Sequence, residues 1–187
     1  MHLVLISLDT CNMNLKEKNY FEIFDLPFAI EVDQKALTKA YYKCSMQFHP
    51  DRYSLKSEVE QKDAITNTAI INKAYEVIKD KQSRIKYILL QSGITFEEGK
   101  EKVPQDFLME MMDINESIME YKMEPTKESL KSLNEQLDSL EKQLIEQISP
   151  FIIIFIEENN NQEALLALKD YFLKNQYINN IKSNLNG

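Results

Sequence analysis

Three consecutive residues of this 187-residue chain could do chemistry together: His49, Pro50 and Asp51. His49 is the only internal histidine, because the other, His2, stands at the very start of the sequence. A histidine beside an aspartate can act as a general base and its orienter. Here no nucleophile accompanies the pair, and the rigid proline between them keeps the two side chains from turning easily toward each other. The chain has no phosphate-cradling glycine loop, no HExxH and no paired metal ligands. Cys11 and Cys44 are its only cysteines, with no CxxC, so they do not make a zinc site by themselves. No enzymatic centre, cofactor or metal is expected. Two readings remain, a plain helix stop with Asp51 capping a local turn, or a docking surface.

The elements around the tripeptide must position it. Asp33 is a good N-cap. After it Leu37, Tyr41, Cys44 and Phe48 recur four, three and four residues apart, which predicts a helix over 34–48. Lys35, Lys39 and Lys43 repeat every four residues on another face, and no acidic residue lies between Gln34 and Pro50. The helix therefore presents a cationic ridge that ends at His49, with Arg52 beyond it. Pro50 stops it, residues 49–57 connect, and a second helix is predicted over 58–79. Its expected buried stripe is Ala64, Ile65, Thr68, Ile71, Ala74, Tyr75 and Ile78. Two helices joined by so short a loop pack antiparallel.

The rest of the chain reads as helix too. Gly occurs three times and Pro five times, too few for the turns of a strand-rich fold, and 43% of residues are hydrophobic. An all-α protein is expected. Asn19 caps a short helix over 20–24, and residues 25–32 form a loop. A helix over 82–91 carries Ile85, Ile88, Leu89 and Leu90, and Gly93 supplies its left-handed cap. Residues 93–103 hold two of the three glycines and read as the linker between two domains. Pro104 opens a helix whose apolar positions are Phe107, Leu108, Met111, Met112, Ile118 and Met119, broken at 123–126. Thr126 and Ser129 cap the next helix, where Leu130, Leu133, Leu137, Leu140, Leu144 and Ile148 form a heptad seam expected to pack within the chain rather than dimerise. Pro150 is expected to bend or end that helix, although 151–156 can carry it onward. A last helix holds Ala164, Leu165, Leu168, Tyr171, Phe172 and Ile178, which completes a three-helix bundle over 104–187.

Charge narrows the function classes. A formal net charge of −8 argues against nucleic acid as the main partner. The apolar stretches at 1–8 and 151–156 are too short for a membrane span, and residues 1–18 read as a leader without clear periodicity that makes no convincing signal peptide.

The stretch Leu37 to Arg52, closing on Phe48-His-Pro-Asp-Arg52, resembles the second helix and signature loop of J-domain co-chaperones. Ile71-Asn-Lys-Ala-Tyr-Glu-Val-Ile-Lys-Asp80 is similar to that family's third helix, Arg84 and Tyr87 match the Arg and Tyr that follow, and Tyr20 to Pro27 resembles its opening. A J-domain over 19–92 followed by a three-helix bundle, with Phe107-Leu-Met-Glu110 opening the bundle, looks like the HscB family, co-chaperones of iron–sulfur cluster assembly. Two departures stand out. Asp25 replaces the glycine usual before Leu-Pro, and Lys81 follows Asp80 where proline is frequent.

The resemblance implies a non-enzymatic protein with two partners. One is a DnaK/HscA-type ATPase chaperone, engaged through Lys39, Lys43, His49, Pro50, Asp51 and Arg52. The other is an IscU-type scaffold, engaged through Leu108, Met109, Met112, Asp113 and Glu116, with Phe172 on the last helix. It implies a bacterial cytoplasmic location ahead of a mitochondrial matrix. From spacing alone, Leu108 and Met112 fit a core stripe as readily as a client surface.

Overall fold

The computed structural model describes residues 15–97 and 101–186, so most of the leader, 1–14, lies outside the described residues. Among the described residues eight α-helices follow one another: α1 Tyr20–Ile23, α2 Gln34–Gln47, α3 Glu58–Lys79, α4 Lys81–Gln91, α5 Gln105–Glu110, α6 Met112–Met123, α7 Lys127–Glu157 and α8 Gln162–Asn186. Two short 3-10 turns, Leu15–Glu17 and Pro50–Tyr53, complete the order, and no strand occurs among the described residues. The chain divides into two compact units between Arg84 and Ile85. The sequence placed that division at 93–103. Within the second unit the Phe96 ring meets Phe172 edge-on at 5.4 Å, and Lys169 Nζ donates to Thr95 O and to Glu101 Oε1 at 3.1 and 3.0 Å.

In the first unit α2 and α3 pack against each other, and α1 lies against α3. Helix starts are set by side-chain caps. Asn19 and Ser57 each accept from the backbone while Glu22 and Glu60 reach back, closing two capping boxes. Asp33 accepts from the amides of Lys35 and Ala36. The core is Phe21, Ile30, Leu37, Ile71, Ala74 and Ile78, with Leu15 buried at its edge, so the last residues of the presumed leader belong to the fold. Ile65 departs from the predicted stripe and is exposed, because Ala64 takes the inward position. The interface is registered by Tyr41, whose ring stacks on Tyr75 at 4.1 Å and whose hydroxyl donates to Asn72 Oδ1 at 3.1 Å.

Arg84 is the buried cation of this unit. Its guanidinium donates to the carbonyls of Ile30, at 2.7 Å, and Ile78. Burial lowers its pKa, and the charges of Glu31 and Asp80 oppose that shift. Arg84 thereby ties the loop before α2 to the end of α3. At Asp25 the chain takes φ of +54°, the left-handed region, at the position where the family's glycine is missing. The turn is closed by Leu26 N–H donating to Phe21 O at 3.0 Å.

In the second unit α7 packs on α8 and α6 on α7. The heptad seam is buried within the chain at Leu133, Leu137, Leu140, Leu144 and Ile148. Thr126 and Ser129 close the predicted cap. Pro150 neither ends nor interrupts α7, which runs on to Glu157 with Phe155 buried. Lys182 on α8 bonds both Asp138 and Glu141 on α7, at 2.6 and 2.7 Å. Burial pulls the Lys182 pKa down, but the two carboxylates outweigh it and hold it above the ordinary lysine value. Gly93 caps α4 at φ +83° as predicted, while Leu90 is exposed rather than inward.

Two stability effects follow from the first unit. Replacing Arg84 with Ala strands two buried carbonyls and should cost about 2–4 kcal/mol, read as a fall in urea midpoint. Asp25→Gly removes the left-handed penalty at a smaller entropic cost and should gain up to about 1 kcal/mol in the same assay.

Candidate functional site

The His49-Pro50-Asp51 site is built at the C-terminal end of α2. A helix end leaves its last carbonyls without intrahelical partners, and Pro50 cannot continue the ladder. Three side chains fill that need in succession. Arg52 Nη1 donates to Met46 O at 3.2 Å, Tyr53 Oη to Gln47 O at 3.3 Å, and Thr68 Oγ1 to Phe48 O at 2.9 Å. Arg52 also places a cation at the negative end of the helix dipole. The turn itself is closed by Arg52 N–H donating to His49 O at 3.0 Å and by Ser54 Oγ donating to Asp51 O at 2.9 Å. Gln61 Nε2 reaches back from α3 to Ser54 O and Lys56 O.

His49 caps the 3-10 turn, its Nδ1 accepting the Asp51 N–H at 3.3 Å. The bond turns that nitrogen toward the backbone of the turn, and no nucleophile accompanies the pair. Asp51 Oδ2 stands 3.7 Å away, and its side chain is 91% exposed. The tripeptide is held in shape by its neighbours and presents its polar atoms outward.

Lys39 and Lys43 are exposed on α2 and form no ion pair among the described residues. Tyr42 and Met46 are exposed between them and His49, an apolar strip that the lysine spacing concealed. Arg52 is exposed beyond the loop, with its head group turned to the end of α2. Tyr53, Gln61 and Thr68 were missed as supports of the loop. The usable signal was the count of orphan carbonyls that any helix stopped by proline must satisfy.

In the second unit the candidate positions separate into two groups. Phe107, Met111 and Ile114 face the core. Leu108, Met109, Met112, Asp113 and Glu116 all lie on the exposed side of α5 and α6, so Leu108, Met112 and also Met119 are not core residues. The expected single helix is divided at Met111, which ends α5 and starts α6. Phe172 does not join this group. It is 4% exposed, its ring against Phe96.

A family model described as the DnaJ domain matches residues 19–87, and one described as the HSCB C-terminal oligomerisation domain matches residues 103–186. A co-chaperone protein HscB homolog of Neisseria meningitidis serogroup A is 35% identical over 125 residues, covering 66% of this chain and 75% of the relative. The chain belongs to the HscB co-chaperone family. Another HscB homolog, of Chromobacterium violaceum, is 32% identical over 64% of this chain and 68% of its own length. The match to that of Vibrio atlanticus is 37% identical but spans only 59% of the relative. Among solved structures, HscB from Vibrio cholerae superposes with a TM-score of 0.76 at 26% identity, over 90% of this chain and 96% of that one. Human HscB, at 24% identity and a TM-score of 0.74, covers 91% of this chain and 81% of its own, and shares the fold. HscB proteins are J-domain co-chaperones, not enzymes, and the J-domain implies an Hsp70-type partner.

The carbonyl caps give a test of loop rigidity. Tyr53→Phe with Thr68→Val removes two bonds of about 1 kcal/mol each. Amide exchange at residues 51–54 should then accelerate roughly tenfold or more, with α3 protection unchanged.

Proposed function

We propose that this chain stimulates the ATPase of a DnaK/HscA-type chaperone and delivers to it an IscU-type iron–sulfur scaffold. The observation that carries the first half is the outward presentation of Asp51 from a loop fixed by three side-chain caps, at the end of an exposed lysine ridge. The ridge steers encounter with an acidic surface, an attraction that salt screens. The rigid His49-Pro50-Asp51 then acts by differential binding. It contacts the partner better in the hydrolysis-competent conformation, and so shifts the partner toward that state. ATP is bound and cleaved on the partner.

The second half rests on the exposed Leu108, Met109 and Met112 beside Asp113 and Glu116. Flexible thioethers conform to an apolar partner surface while the carboxylates discriminate by charge. Phe172, buried against Phe96, supports the bundle beneath rather than forming part of that surface. Compartment follows from the same reading, as a bacterial cytoplasmic protein.

Asp51→Asn keeps the size of the side chain and removes its charge. It should reduce stimulation of the partner's ATPase to near the basal rate while leaving the thermal melt unchanged. Equal stimulation by both forms would sink the co-chaperone reading. Titration of the full chain with the scaffold should show binding at micromolar concentrations, and its absence at tens of micromolar would leave a J-domain protein serving another client.

A further inference from the structure

Two exposed helix faces of this chain share one spacing and carry opposite charge. On α2, Lys35, Lys39, Tyr42, Lys43 and Met46 follow one another at intervals of four, three, one and three, which puts all five on one face. On α6, Met112, Glu116, Met119, Glu120 and Met123 repeat those intervals. All ten residues are exposed. In each face two apolar side chains, Tyr42 and Met46 or Met119 and Met123, are 63% to 88% exposed and lie beside a charged pair. The signs differ. Helix α2 carries three lysines and no carboxylate, whereas α5 and α6 together carry five carboxylates and one lysine. Lys39, Lys43, Glu116 and Glu120 form no ion pair among the described residues.

We infer that copies of this chain associate by laying α2 of one copy antiparallel along α6 of another. An antiparallel partner brings like-placed edges of two helices together, so the lysine edge meets the carboxylate edge. With Met46 set against Met112, Lys43 falls opposite Glu116, Lys39 falls opposite Glu120, and Tyr42 enters between Met112 and Met119. A parallel pairing leaves the two charged edges on opposite sides. The formal net charge of −8 makes most faces of two copies repel each other. Helix α2 is the exception, since no acidic residue lies between Gln34 and Pro50. The unbranched methionines repack around the tyrosine ring. This contact goes beyond the proposed function and regulates it. It covers the lysine ridge of one copy and the methionine face of the other, so a chaperone or a client must displace it, and either one releases the assembly by mass action.

The test is sedimentation velocity of the full chain at about 100 μM and low salt, where exposed ion pairs are least screened. The parent should associate, and roughly 0.5 M salt should return it to monomer. K39E/K43E and E116K/E120K should each stay monomeric, because each variant gives its two faces the same sign. An equimolar mixture of the two should associate again, since the acidic α2 of one then meets the basic α6 of the other. Circular dichroism melts check that each variant is folded. Association that survives in either variant alone places the contact elsewhere and overturns the inference. So does a mixture of folded variants that stays monomeric. A monomeric parent also overturns it, and if that monomer binds the purified IscU-type scaffold less well as E116K/E120K, the α6 face belongs to the client alone.

Discussion

The end of α2 is the constraint on which the first unit depends. Pro50 stops the helix and leaves a run of carbonyls that must find donors or stay unsatisfied at a half-buried position. Arg52, Tyr53 and Thr68 each satisfy one of three consecutive carbonyls. Two of the donors come from the turn itself and one from α3. Fixing the carbonyls therefore fixes the loop to the helix hairpin, and with it the orientation of His49 and Asp51. The signature tripeptide is the visible part of a hydrogen-bonding requirement whose other members lie outside it.

Much of the architecture was legible because it is written locally. Asn19, Asp33, Ser57 and Thr126 announce helix starts through side chains that bond amides within three residues. Gly93 announces an end through a φ that other residues resist. The heptad seam of α7 was legible because leucine at that spacing has one stable destination when a neighbouring helix is available. What failed was the assignment of faces. Ile65 looked buried by type and spacing and is exposed, and Leu108 and Met112, which spacing left open between core and surface, are exposed too. Hydrophobic residues populate surfaces as well as cores, so residue type alone does not say which of two adjacent stripes faces inward.

The supports of the site were less legible than the site. Thr68 was read as a buried-stripe residue, and its actual task, bonding Phe48 O across 20 positions of sequence, is a long-range contact that no periodicity encodes. Arg84 was picked out only by resemblance. The carbonyls of Ile30 and Ile78 that it bridges become neighbours only when the hairpin has formed. The same holds for Lys169, Phe96 and Phe172, whose contacts join positions more than 70 residues apart in sequence.

Pro150 has one more consequence. It has no N–H to offer the Glu146 carbonyl, so the hydrogen-bond ladder of α7 is interrupted there although the helical path is not. Both Glu146 and Pro150 are exposed, which lets water take the missing bond. Residues 151–157 continue the helix past this one missing bond, with Phe155 packed in the core. Local opening of this last stretch need not disturb the seam from Leu133 to Ile148. By shape α7 is a single helix, and Pro150 marks the one donor its ladder lacks.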